Sequence, residues 1–220
     1  MNLDNYVEWF KDRIEITNLN NLKKYLKLKG FRRYKKAYYL LKEHEDNISD
    51  KDIGELFKYE IRLRANITYY ITMFEIYLRA LLTNNFTKED LDLPDYFMKS
   101  KKDLFELLEE VSFGKLVGLY ETLDEYIIEK LFEYDLDKRV FIRRIEAVKD
   151  LRNVLYHHHF LLDYNNYDNC EINGLHTCDL LSNLYNFQKV LPKDFRGTFE
   201  RRINNTDKGL ELPIGLLIKM

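Results

Sequence analysis

Three consecutive histidines follow an arginine–asparagine pair in the segment "DLRNVLYHHHFLLD", which spans residues 150–163. The arginine is Arg152, and the histidines lie five, six and seven residues after it. A guanidinium binds two phosphate oxygens at once, and it binds them more strongly as negative charge builds up in a transition state. An imidazole can take a proton from a ribose 2′-hydroxyl or give one to a leaving 5′-oxygen, and an amide can orient either group. This set of side chains therefore indicates phosphodiester cleavage without a metal ion.

A helix of 3.6 residues per turn gives each of these side chains a direction. Asn153 and His157 are four residues apart and share a face, whereas His158 points away from Asn153. Three consecutive imidazoles cannot converge on one ion, and zinc needs three or four converging ligands, so we predict no metal and no cofactor. Arg152 lies at the edge of an apolar stripe that consists of Ile145, Val148, Leu151 and Leu155.

The alternative interpretation of this segment is structural. Arg152 and Asn153 would then pair with acids such as Asp150 or Glu146, and the histidines would lie in a hydrated interface. His159 falls near the edge of the apolar stripe, so we expect a core-edge or interface role for it.

The rest of the chain is predicted to be helical. Only 8 Gly and 3 Pro occur among 220 residues, and this composition favours long helices over β-sandwiches. We predict an all-α bundle of about six to eight helices, in a single domain over residues 1–220. The motif helix is expected at about 137–162, and the last substantial helix is expected to end before Pro192. The strongest helical pattern is a core stripe formed by Ile67, Tyr70, Ile71, Phe74, Leu78, Leu81 and Leu82.

Charge is unevenly distributed along the chain, although the net charge is only −2. Residues 23–42 contain nine Lys or Arg and no acid, whereas residues 88–137 contain fifteen acids and six bases. In the basic segment, at about 20–45, cations alternate with aromatic residues, which favours salt-dependent binding of single-stranded RNA. The alternative is an amphipathic helix with tyrosines in the core, since Tyr34, Tyr38 and Leu41 lie at helical spacing. The predicted RNA contacts are Lys23, Lys24, Lys27, Lys29, Arg32, Arg33, Tyr34, Lys35 and Lys36.

"LRNVLYHHH" resembles the signature of the HEPN superfamily of α-helical ribonucleases, in which an arginine is followed by a polar residue and then, with four to six residues between, by a histidine. Within that superfamily the chain is similar to the bacterial abortive-infection family. Members of that family carry an acid and an arginine four residues apart in an earlier helix, which Glu75 and Arg79 match. They also carry a Phe-Gly step ahead of the motif helix, which Phe113 and Gly114 match. The resemblance extends over about residues 22–191.

The resemblance implies a HEPN-like helical bundle with additional helices. It implies that Arg152, Asn153 and His157 are catalytic, with His157 as the acid–base group. It also implies a homodimer, because motif helices from two subunits usually meet in HEPN proteins. The family usually continues after the histidines with an arginine, an aromatic residue and an asparagine, whereas this chain has Phe160, Leu162 and Asp163 there. The residues implied to support the site are His158, Glu75 and Arg79.

The resemblance implies an antiphage abortive-infection toxin. It would be a metal-independent endoribonuclease that leaves 2′,3′-cyclic phosphate ends and is controlled by a bound noncoding RNA antitoxin. The alternatives are a non-catalytic RNA-binding module or a structural helical dimer. No run of 18 apolar residues occurs and the start of the chain lacks an apolar signal core. We therefore expect a cytoplasmic protein with no membrane association. The expected partners are RNA and a second copy of the chain.

Overall fold

The computed structural model describes residues 3–91, 93, 95–132, 137–157, 159–164, 171–172, 175–176 and 179–220. Within these ranges the chain is all-α, as predicted, apart from one short β-hairpin. The chain divides into two compact units. Unit 1 consists of Met1–Asn66, Phe160–Asp163 and Arg201–Met220, and unit 2 consists of Ile67–His159 and Tyr164–Glu200. The single domain over residues 1–220 stays a prediction.

Unit 1 contains α1 (Leu3–Lys11), α2 (Leu19–Lys29), α3 (Phe31–Lys42), the first part of α4 (Asp50–Asn85) and the last part of α11 (Lys193–Asn204). Gly30 separates α2 from α3 with a φ of 80°, a conformation that glycine adopts without steric cost. The core is rich in aromatic rings, and Phe10 and Tyr34 are fully buried in it. The carboxyl-terminal tail packs here too, since Leu216 is buried and the N–H of Ile218 donates to the Tyr59 hydroxyl at 2.7 Å.

Unit 2 contains the rest of α4, α5 (Asp95–Met98), α6 (Leu104–Glu110), α7 (Phe113–Thr122), α8 (Glu125–Leu131), α9 (Lys138–Tyr156), α10 (Leu180–Val190) and most of α11. It also holds the antiparallel strands β1 (Glu171–Ile172) and β2 (Leu175–His176), with Glu171 opposite His176. Edge-to-face aromatic contacts fill its core. The Phe187 ring packs against both Phe74 and Phe199, with ring centroids 5.6 Å and 5.3 Å apart.

The helical periodicity of α4 correctly predicted its buried side. Every residue of the predicted stripe is buried except Leu81, which is half-buried. The helix predicted to end before Pro192 does so, since α10 ends at Val190, but it is not the last substantial helix, because α11 begins directly after that proline. Proline is well tolerated at a helix start, where its missing N–H costs nothing, and its carbonyl accepts a bond from the N–H of Phe195 at 2.9 Å. No described helix combines the length and the apolar composition that crossing a bilayer requires.

Candidate functional site

The arginine–histidine motif lies at the carboxyl end of α9. Asp137 caps the start of this helix, since its carboxylate accepts a bond from the N–H of Val140 at 3.2 Å. The predicted apolar stripe of α9 is buried, and the helix packs against α7 and α10. The helix ends at Tyr156, so the predicted continuation to about residue 162 is wrong. The chain instead leaves α9 and forms a 3₁₀ turn at Leu161–Asp163.

The histidines therefore follow the helix rather than continue it. His157 occupies the C-cap position, where its N–H donates to the carbonyl oxygen of Asn153 at 2.9 Å. The side chains of Asn153, His157 and His159 are exposed. The two histidine rings lie nearly perpendicular, with centroids 6.3 Å apart. His158 lies outside the described residues. Imidazole groups that reach solvent at a helix end are accessible to a substrate.

Arg152 is held half-buried by a carboxylate and an aromatic ring, with 26% of its side chain exposed. Its Nε lies 3.4 Å from Oε2 of Glu75, which is ion-pair distance. The Nε–H is buried and makes no hydrogen bond to any described residue. The guanidinium carbon lies over the ring of Tyr156, 4.4 Å from the ring centroid. It lies 5.8 Å from the ring centroid of Phe113. Tyr156 is 53% exposed, so this guanidinium lies at the surface edge of unit 2.

The guanidinium of Arg79, in contrast, donates its hydrogen bonds to neighbouring groups within unit 2. Its Nη2 donates to Oε1 of Glu75 at 2.7 Å and to the carbonyl oxygen of Val111 at 2.8 Å. Its Nε donates to the carbonyl oxygen of Leu108, also at 2.8 Å. These bonds join α4 to the carboxyl end of α6. The Glu75 carboxylate contacts Arg79 through one oxygen and Arg152 through the other, which links the two predicted supporting residues to the predicted catalytic arginine.

The basic segment lies in unit 1, where several of its cations already have partners. Lys23 pairs with Asp4 at 3.5 Å, and Lys36 pairs with Asp163. The ammonium of Lys29 lies 5.7 Å from the centroid of a phenylalanine ring in the core. These partners reduce the charge that the segment offers to a polyanion. The exposed cations of the segment are Lys24, Lys27, Arg32, Lys36 and Lys42.

The prediction that Tyr34 contacts RNA is wrong. Its side chain is fully buried in the unit 1 core, where its ring packs edge-on against Phe10 with centroids 4.9 Å apart. Burial raises the pKa of its hydroxyl well above the usual range. The helical spacing of Tyr34, Tyr38 and Leu41 marks the core side of α3, and all three are buried. A base cannot stack on a ring that has no exposed face.

Arg33 belongs to a buried cluster that sequence reasoning missed. The Glu60 carboxylate, with a side chain only 1% exposed, accepts bonds from Nη2 of Arg33 at 3.1 Å and from Nη2 of Arg64 at 2.5 Å. It also accepts the N–H of Leu161 at 3.2 Å. The i,i+4 spacing of Glu60 and Arg64 could have indicated their pair, but Arg33 and Leu161 lie 27 and 101 residues away from Glu60, beyond any local pattern. It fixes the segment that follows the histidines onto α3 and α4.

Among the residues that the structure describes, no group of three or more His, Cys, Asp or Glu side chains is placed to hold a metal ion. Compared with protein-family models, curated proteins and solved structures, the chain shows no significant match to any of them. The interpretation of the site therefore depends on its own residues.

Proposed function

We propose that this protein is a metal-independent endoribonuclease of the HEPN abortive-infection type, which acts as a toxin in antiphage defence. The placement of Arg152 carries the proposal. Its guanidinium lies at the surface edge of unit 2, between Glu75 and the exposed ring of Tyr156. Asn153 and His157 are exposed within the next turn and a half. A cation, an amide and an imidazole thus reach the surface of unit 2 within two helical turns of one another.

In the proposed reaction, the imidazole of His157 takes the proton of a ribose 2′-hydroxyl. The 2′-oxygen attacks the adjacent phosphorus, and the bond from phosphorus to the 5′-oxygen breaks as the new bond forms. Water supplies the proton with which the 5′-oxygen leaves. Arg152 stabilises the additional negative charge on the pentacoordinate phosphorus, and Asn153 orients the phosphate by a hydrogen bond. The products carry a 2′,3′-cyclic phosphate and a 5′-hydroxyl.

The proposed active form is a homodimer. A helix of 3.6 residues per turn places positions 152 and 157 about 140° apart around its axis. One copy of the motif therefore directs the Arg152 guanidinium, on α9, and the imidazole of the C-cap residue His157 to different sides. If two copies of the motif meet around a twofold axis, Arg152 of one subunit can face His157 of the other across a shared phosphate.

A noncoding RNA is the proposed antitoxin, and a non-catalytic RNA-binding module is the second candidate function. Both are favoured by the exposed cations Lys24, Lys27 and Arg32 in unit 1. A bound RNA that occupies the motif would block it from substrate. Turnover separates the candidates, because a binding module would retain RNA without cutting it.

Cleavage of a labelled RNA by purified variants tests the proposal. Arg152→Ala and His157→Ala should each lower the cleavage rate by about 10²–10⁴-fold, the usual contribution of a positioned acid–base group or charge stabiliser. His159→Ala is the matched control, because it removes an exposed imidazole two residues away and should leave the rate unchanged. Circular dichroism should show unchanged folding in all three variants. If Arg152→Ala and His157→Ala cleave RNA as fast as the parent protein, the proposed chemistry is refuted.

A further inference from the structure

Unit 1 carries a group of aromatic rings and cations that the basic segment alone did not reveal. Trp9 of α1 lies beside Tyr39 of α3, with ring centroids 6.3 Å apart. The ammonium of Lys35 lies over both rings, 5.2 Å from the Trp9 centroid and 5.6 Å from that of Tyr39. The guanidinium of Arg13 covers Trp9 at 4.3 Å. These four residues are called the aromatic–cation patch.

The patch is accessible to a ligand. Tyr39 is 50% exposed, Arg13 is exposed, and Trp9 and Lys35 are half-buried. On α3 the exposed Arg32 lies one turn before Lys35 and two turns before Tyr39. An exposed ring therefore lies among cations of α3 and of the turn that follows α1.

We propose that the aromatic–cation patch binds single-stranded RNA, with a base stacked on Tyr39 and phosphates held by Arg13, Arg32 and Lys35. Aromatic faces stack unpaired bases and cations follow the phosphate backbone, so one surface with both features fits a single strand. In a duplex the bases are stacked on each other and cannot reach the ring. The patch replaces Tyr34 as the stacking element of the basic segment, and it deepens the proposed function by locating where RNA is held in unit 1.

The neighbouring carboxylates are few and partly neutralised. Glu8 of α1 pairs with Lys11 at 2.5 Å, and Asp163 pairs with Lys36. Asp12 is exposed next to Arg13. Glu43 is exposed one turn after Tyr39. The three cations that the proposal uses outnumber these two exposed carboxylates, so the surface attracts a negatively charged ligand.

Binding can be measured on the full-length protein with a 2′-O-methyl oligonucleotide of about 12 nucleotides. This probe lacks the 2′-hydroxyl that would attack the phosphorus, so the proposed cleavage cannot occur. The binding result is therefore independent of whether the nuclease proposal holds. Trp9 is the single tryptophan of the chain, so its fluorescence reports directly on the patch. Anisotropy of a labelled oligonucleotide gives the dissociation constant independently.

Tyr39→Ala should weaken binding by about 5- to 100-fold, the usual effect of removing one stacking ring. Tyr126→Ala is the matched control, since Tyr126 is 72% exposed on α8 and should be replaceable without effect. Lys35→Gln should reduce the salt dependence of log Kd by about 0.7 relative to the parent, and Lys130→Gln, at an exposed lysine of α8, should not. Addition of the oligonucleotide should change the Trp9 fluorescence.

The proposal is overturned if Tyr39→Ala and Tyr126→Ala bind equally well, or if no binding occurs at low salt. It is also overturned if duplex RNA binds as tightly as the single strand. Vesicles that contain anionic lipid provide the remaining comparison. Binding to these vesicles with no binding to RNA would identify the patch as a membrane-surface contact instead.

Discussion

The Glu75 carboxylate offers a sharp test of how Arg152 is held, because it contacts two arginines in different ways. Its Oε1 accepts a 2.7 Å hydrogen bond from Arg79, whereas its Oε2 lies 3.4 Å from a poorly aligned Nε–H of Arg152. A hydrogen bond to a charged group contributes roughly 1.5–3 kcal/mol. An ion pair without that bond, between partly exposed groups, contributes roughly 0.2–1 kcal/mol. We therefore predict that Glu75 is coupled more strongly to Arg79 than to Arg152.

Two double-mutant cycles measure these couplings. The first combines Glu75→Gln with Arg79→Gln, and the second combines Glu75→Gln with Arg152→Gln. Free energies of unfolding from urea titrations give the non-additive part for each pair. The expected coupling is about 1.5–3 kcal/mol for Arg79 and at most about 1 kcal/mol for Arg152. Glutamine keeps the size of each side chain closer to the original than alanine does, so packing changes should contribute little.

A stronger coupling of Glu75 to Arg152 than to Arg79 would refute this reasoning. It would mean that the carboxylate mainly neutralises the predicted catalytic cation in the absence of RNA. The cleavage assay should follow the same order. Glu75→Gln should lower the cleavage rate less than Arg152→Ala does, because the Tyr156 ring still supports the guanidinium.

Three further predictions concern stability and the support of Arg152. Glu60→Ala should destabilise unit 1 by roughly 1.5–3 kcal/mol in urea titrations, because the half-buried guanidinium groups of Arg33 and Arg64 lose the carboxylate to which both donate hydrogen bonds. Glu43→Ala, at an exposed carboxylate, should change stability by less than about 0.5 kcal/mol. Burial raises the pKa of Tyr59 to about 12, so the folded state keeps a proton that the unfolded chain releases above pH of about 10. The contribution of this hydroxyl to the free energy of unfolding should therefore fall by up to about 1.4 kcal/mol per pH unit as pH rises from about 10 to 12. In Tyr59→Phe the free energy of unfolding should fall less steeply over the same pH range. Tyr156→Ala should slow RNA cleavage by about 2- to 5-fold through loss of its contact with Arg152, whereas Tyr156→Phe should not.

Helical periodicity predicted the all-α class and the core sides of α4 and α9. That pattern is local, because apolar residues three or four positions apart in sequence form the buried face of a helix. The same pattern identified Tyr34 as a core residue of α3, and the structure supports that alternative over RNA contact. The aromatic and basic composition of the segment predicted RNA contacts but did not distinguish rings that face the core from rings that face solvent. Tyr39 follows Tyr38 directly, yet only Tyr39 is exposed.

The end of α9 shows why the geometry of the site could not be predicted from the sequence. No glycine or proline occurs in residues 150–163 to mark a boundary, so the apolar pattern extended the predicted helix too far. The helix ends because the next residues have tertiary partners: the Phe160 ring packs against Phe57, and the N–H of Leu161 donates to Glu60. Both contacts join residues about 100 positions apart, which periodicity cannot detect. These long-range partners are absent from any local pattern, which explains why the sequence predicted His157 inside a helix rather than at its C-cap.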